Sequence, residues 1–114
     1  MSSISDKLEK VKDIDSEMFK SKLWGLEIEV RSPNLKERTR IVVDGSDENG
    51  KMIKDLFSTM LLIGTCFVPG TDDPAFDESH VDMLNSKNGK EMQRLLVVCI
   101  RLAGFDGEVE AKNG

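Results

Sequence analysis

The sequence predicts an α+β fold, mostly helical, in which a small N-terminal antiparallel β-hairpin packs against three to four helices. Three observations predict it. Between Trp24 and Arg31, apolar and charged residues alternate with period two, the pattern of a strand with one buried face. From Lys51 onward the apolar residues recur instead at spacings of three and four, the period of a helix. The chain has 114 residues, 39% hydrophobic and 32% charged, which is long enough for one hydrophobic core and too short for two.

The elements follow in order. Over residues 5–14, Leu8, Val11 and Ile14 stand three apart among charged residues, with Ser3 or Ser5 as cap. That spacing predicts a short, weakly amphipathic helix, so residues 1–16 read as a weakly ordered arm. Trp24, Leu26, Ile28 and Val30 then alternate with Glu27, Glu29 and Arg31, and Gly25 interrupts the strand near its start. Residues 18–22 supply the antiparallel partner. A lone hairpin is marginal in water, so helices must cover its apolar face.

Ser32-Pro33 reads as an N-cap followed by proline at the first helical position, opening a helix that runs to about Val43. The β-branched run Ile41-Val42-Val43 leaves a strand as the alternative. Residues 44–50 are a loop of turn formers. Residues 51–68 read as a helix with Ile53, Leu56, Phe57, Met60, Leu61, Gly64 and Phe67 on one face. Leu62, Ile63 and Cys66 widen its apolar arc until the second half is buried all round, and Pro69-Gly70 stops it. After a loop at 71–75, Asp77 caps a short helix that carries Val81 and Leu84 inward, with Phe76 in the hydrophobic-staple position. Asn88 and Glu91 have capping-box spacing and open a last helix with Met92, Leu95, Leu96, Cys99 and Leu102 on one face. Gly104 ends it and Phe105 folds back. Residues 17–105 thus form a single globular domain, and 106–114 a flexible tail.

Charge and composition exclude several functions. Sixteen Lys+Arg against 21 Asp+Glu give a net charge of −5, opposite to what phosphate-dominated nucleic-acid binding needs. No apolar run approaches the roughly 18 residues of a membrane span. The opening residues show neither a basic nor an apolar export region, so a cytoplasmic protein with reduced thiols is expected.

Chemistry is sparse. His80 is the single histidine, so any His-dependent mechanism rests on it, with Cys66 as the available nucleophile. Cys66 lies in Leu61-Leu62-Ile63-Gly64-Thr65-Cys66-Phe67, however, an apolar setting that suppresses the thiolate and reads as a buried structural thiol. Cys99 reads the same way. The acidic group Asp72, Asp73, Asp77, Glu78 and Asp82 around His80 has no metal-ligand spacing, the 44–50 loop fails the calcium-loop template, and no phosphate loop is present. No catalytic residue, cofactor or metal site is therefore assigned. Trp24 reads first as a core residue and otherwise as a protein-partner anchor. The candidate partner-binding residues are Trp24, Phe67, Phe76 and Phe105. The methionines Met52, Met60, Met83 and Met92 read as core filling, with an adaptable binding groove as the minority reading.

The order of elements resembles a known family. It comprises Phe19 and Leu23-Trp24-Gly25, the strand Leu26-Glu27-Ile28-Glu29-Val30-Arg31, and Ser32-Pro33-Asn34-Leu35-Lys36-Glu37-Arg38 opening a helix. A hydrophobic helix follows, then Phe76-Asp77-Glu78-Ser79-His80-Val81-Asp82-Met83-Leu84, and Met92-Gln93-Arg94-Leu95 leading to Arg101-Leu102-Ala103-Gly104-Phe105. Across about residues 14–105 this resembles the tail assembly chaperones of long-tailed, siphovirus-like bacteriophages. The present second helix is less polar than is usual there. The resemblance implies a non-enzymatic protein of the host cytoplasm that binds the tape measure protein, helps recruit tail tube protein, self-associates, and is absent from the mature virion. The alternative is a connector-type adaptor. The resemblance also implies a longer product made by ribosomal frameshifting, for which codons 111–113 (Ala-Lys-Asn) can encode a slippery run.

Overall fold

The structure is a computed structural model that describes residues 3–106. Two strands, β1 (Ser16–Ser21) and β2 (Leu26–Arg31), pair antiparallel, with Ser16 opposite Arg31 and Phe19 opposite Ile28. The period-two pattern is realised: Phe19 and Ser21 on β1 and Ile28 and Val30 on β2 are buried. The hairpin does not stand alone. A two-residue strand, β3 (Cys66–Phe67), pairs antiparallel with the end of β2 and makes a three-stranded sheet of order β1-β2-β3.

β3 shortens the helix before it. Helix α3 spans Lys54–Thr65 rather than 51–68, because Cys66 and Phe67 turn extended to bond β2. An unbroken apolar run suits a buried helix and a buried strand equally, so periodicity alone could not place that boundary. Helix α2 (Leu35–Asp44) settles the choice between helix and strand at Ile41, which is 2% exposed on the helix's inner face. Its cap is Asn34, whose side-chain oxygen accepts from the Glu37 N–H at 2.9 Å. Ser32 is not the cap. Its hydroxyl accepts from the Asp15 N–H and its own N–H donates to the Asp15 carbonyl, closing the open end of the hairpin.

Helix α1 (Ser3–Glu9) is shorter than the 5–14 expected and buries no residue. Leu8, Val11 and Ile14 all remain exposed. Asp77 caps a single 3₁₀ turn (Glu78–His80) that leads into α4 (Val81–Asn85), which buries Leu84. Asn88 caps α5 (Gly89–Ala103) by accepting from the Glu91 N–H. The Glu91 carboxylate does not return to the cap as a capping box requires. It accepts from Ser21 Oγ and Arg94 instead.

The core lies where α5 packs against β1, β2 and α3. Leu95 and Cys99 of α5 are fully enclosed, with Leu61 and Leu62 of α3 beside them. Gly104 takes the left-handed conformation (φ +78°) that ends helices, and the Phe105 N–H donates to the Ile100 carbonyl. The expected tail and the frameshift codons fall at 107–114, outside the described residues, save for Asp106.

Candidate functional site

The residues weighed for catalysis are not brought together. Cys66 and Cys99 are fully buried, with their sulfurs 3.8 Å apart, and Thr65 Oγ1 is 3.9 Å from Cys66 Sγ. The contact with Cys99 and burial push the Cys66 thiol well above its ordinary range, so the thiolate that a nucleophile needs is disfavoured there. His80 is engaged elsewhere. Its Nδ1 accepts from the Asp77 N–H at 3.0 Å, and its ring meets Phe76 edge-on. In this capping box histidine takes the place usually held by Glu or Gln.

Three carboxylates of the acidic group around His80, those of Asp72, Asp77 and Glu78, have structural partners. Asp77 accepts from both the hydroxyl and the N–H of Ser79, which hold its carboxyl below the usual range. Asp72 pairs with Arg31 at 3.0 Å, and Glu78 approaches Arg40 at 3.8 Å. Among the described residues no group of three His, Cys, Asp or Glu side chains is placed to hold a metal ion.

What the fold does assemble is two neighbouring cavities that share Phe76 in their walls, taken together below as the two lobes of a groove. One lobe, a cavity of 270 Å³, lies where the turn end of the hairpin meets α4 and the start of α5. Trp24, Leu26, Ile28, Met83 and Met92 give it apolar walls, and Lys87 stands at its edge. Leu26 is 47% exposed and Met83 39%, so both offer apolar surface to that cavity. The second lobe, 570 Å³, has apolar walls from Ile63, Gly64, Phe67 and Pro74, and Phe76 is common to both. Its polar side differs from that of the first lobe. Glu37, Asp77 and Glu78 present three carboxylates there against the single guanidinium of Arg40.

Arginines hold the frame of this groove. Arg31 lies over the Phe67 ring at 4.3 Å, bonds Glu29 at 2.7 Å and donates to the Thr71 carbonyl. Glu29 in turn accepts from the Gly70 N–H, so the 66–75 segment is tied to β2 from both sides. Arg94 lies over Phe19 at 4.8 Å while bonding Glu91. An arginine over an aromatic face gains cation–π attraction without giving up its hydrogen bonds.

Of the four aromatic residues proposed for partner binding, three border this groove. Trp24 lines the apolar lobe, Phe67 the acidic lobe, and Phe76 both. Phe105 is elsewhere: at 2% exposure it packs edge-on to Phe57 at 5.1 Å, beneath Arg38, and belongs to the core. Of the four methionines read as core filling, Met60 is buried while Met52 and Met83 are exposed, and Met83 and Met92 line the apolar lobe as the alternative groove reading has it. Leu26 and Glu37 were not singled out from sequence. Leu26 carries the period-two phase of a buried residue, but it stands at the end of its strand, where the helical cover gives way to the groove.

No protein-family model matches the chain, and no curated protein matches it. Among solved structures it is similar to that of the bacteriophage HK97 tail assembly chaperone. The TM-score is 0.56 at 18% identity, over 90% of this chain and 95% of that one. At that identity the likeness is one of fold, and it spans nearly the whole of both chains: this sequence folds as a bacteriophage tail assembly chaperone does.

Proposed function

We propose that the protein is a tail assembly chaperone of a long-tailed phage. In this reading it binds the tape measure protein in the host cytoplasm, shields its apolar helices, assists assembly of the tail tube, and is left out of the finished particle. The observation that carries the reading is the fold match over 90% of the chain. The groove supports it, because covering an aggregation-prone helix requires an accessible apolar surface on a soluble body, and a surplus of acidic residues favours solubility. Flexible methionines at such a surface adapt to different partner side chains. The role is one of binding, with no bond-making step assigned to any residue.

Co-expression with the tape measure protein of the same phage tests this. The full chain is expected to keep that protein in the soluble fraction and to co-purify with it, and purified virions are expected to lack the chain. Recovery of stoichiometric chain from virions would favour the connector-type adaptor instead. A frameshifted longer product is part of the proposal, and the nucleotide sequence at codons 111–113 decides it: an interrupted A run removes the slippery site.

A further inference from the structure

The two lobes of the groove differ in charge, and that difference carries information about the occupant. In the acidic lobe Arg40 lies 3.7 Å from Glu37, 3.4 Å from Asp44 and 3.8 Å from Glu78, so one guanidinium is divided among three carboxylates. Asp44 lies outside the cavity lining, but Asp77 joins Glu37 and Glu78 there as a third carboxylate, and the Glu78 side chain is 74% exposed. Negative charge in excess of its internal partners therefore faces the cavity. The other cavity that Phe76 lines has apolar walls, Trp24 among them, and Lys87 is its charged lining residue.

We propose that this groove receives an amphipathic helix of the client chain, its apolar stripe across Phe76 and Trp24 and its Lys- or Arg-bearing end in the acidic lobe. The proposal rests on the chaperone reading above and gives it a site, a client chemistry and a direction. A helix is the suitable form because it satisfies its own backbone hydrogen bonds, which apolar side-chain walls leave unmet. Opposite charge at one end fixes orientation and rejects the reversed pose, since like charges brought together in a partly desolvated groove are repulsive.

Trp24 is the single tryptophan of the chain, so its fluorescence reads the groove directly. The probes are two synthetic amphipathic helices of about 18 residues, five turns, identical except that three lysines in one terminal turn are replaced by glutamates. The lysine peptide is expected to shift Trp24 emission saturably, and the glutamate peptide to bind at least about tenfold more weakly. Raising salt from about 0.05 to 0.5 M should narrow that difference. The double variant Glu37→Lys, Glu78→Lys changes only side chains on the rim and is expected to reverse the preference. Phe76→Ala, with its helical circular dichroism retained, should lose both peptides.

Equal affinity for the two peptides, or binding with no response at Trp24, overturns the proposal. So does a Trp24 shift that depends on protein concentration without peptide and vanishes when residues 1–14 are deleted, because the occupant is then a second copy of this chain. The two readings fail separately. If the full chain keeps the tape measure protein soluble but neither peptide reaches Trp24, the groove assignment falls and the chaperone role stands. If the lysine peptide binds as described but the tape measure protein precipitates, the reverse holds.

Discussion

Glu91 shows how one buried carboxylate is made tolerable. It is 9% exposed at the start of α5, where Arg94 Nε donates to Oε1 at 2.8 Å and Ser21 Oγ donates to Oε2 at 2.5 Å. Arg94 also donates to the Lys20 carbonyl, so the cluster fastens α5 to β1. The Arg94 bond, then the Ser21 bond, hold the Glu91 carboxyl below its ordinary range. A carboxyl depressed in the folded state adds stability that is fully present above its unfolded pKa. That contribution is lost as the pH falls from the ordinary glutamate value through the lower folded one. Glu91→Gln should therefore melt below the wild type at neutral pH, and the two curves should converge on acidification through and beyond the ordinary glutamate range. Thermal melts across that range, followed by circular dichroism, check it. A constant gap at every pH would show that the loss is one of packing rather than charge.

At the scale of elements, the contact between α2 and α3 depends on Gly64. A Cβ built there would lie 2.9 Å from Ile41 Cδ1 and 3.1 Å from its Cγ1, and Ile41 is enclosed at 2% exposure. Gly64→Ala gains helix propensity of about 1 kcal/mol but drives its methyl into the enclosed Ile41 side chain at a cost of about 1–3 kcal/mol, so a net loss of stability is expected. Ile41→Val deletes the methyl group nearest the new one. The double variant should recover most of the Gly64→Ala loss, measured as a coupling energy from urea melts of the four proteins. The same elements show what was legible in the sequence. Alternation from Trp24 to Arg31 marked β2, Asn88 with Glu91 marked the start of α5, and Gly104 its end, because each signal is local. The third strand was not legible. Cys66 and Phe67 become strand only because Val30 and Glu29 are there to pair with, a fact of tertiary structure. The cap of α2 slipped from Ser32 to Asn34 for a similar reason: Ser32 is held by Asp15, seventeen residues earlier.

For the molecule as a whole, the buried residues lie between Phe19 and Phe105, and α1 contributes none of them. The groove was legible in its aromatic members and, as the alternative to core filling, in Met83 and Met92. Trp24, Phe67 and Phe76 are rare, large residues that any partner hypothesis selects, whereas the carboxylates of its rim come from α2 and from the turn before α4, far apart in the chain. The arm was legible as an amphipathic pattern, and the structure leaves that pattern uncovered. Ile4 is 74% exposed and Leu8 63%, and α1 buries nothing. A seven-residue helix draws little stability from its own hydrogen bonds, and most helical stability in proteins comes from packing an apolar face. Removing residues 1–13 keeps Asp15 and its bonds to Ser32, and among the described residues none of 3–13 belongs to the buried core. The truncated chain should match the full chain in stability within about 0.5 kcal/mol, as surface changes do. Its strand and α2–α5 signals should be unchanged while helical ellipticity falls slightly. Chemical denaturation of the two proteins checks this, and a loss of several kcal/mol would mean that the arm belongs to the folding unit. Sedimentation of the same pair reads the arm's other role: if its apolar side chains mediate self-association, the full chain sediments faster with rising concentration and the truncated chain does not.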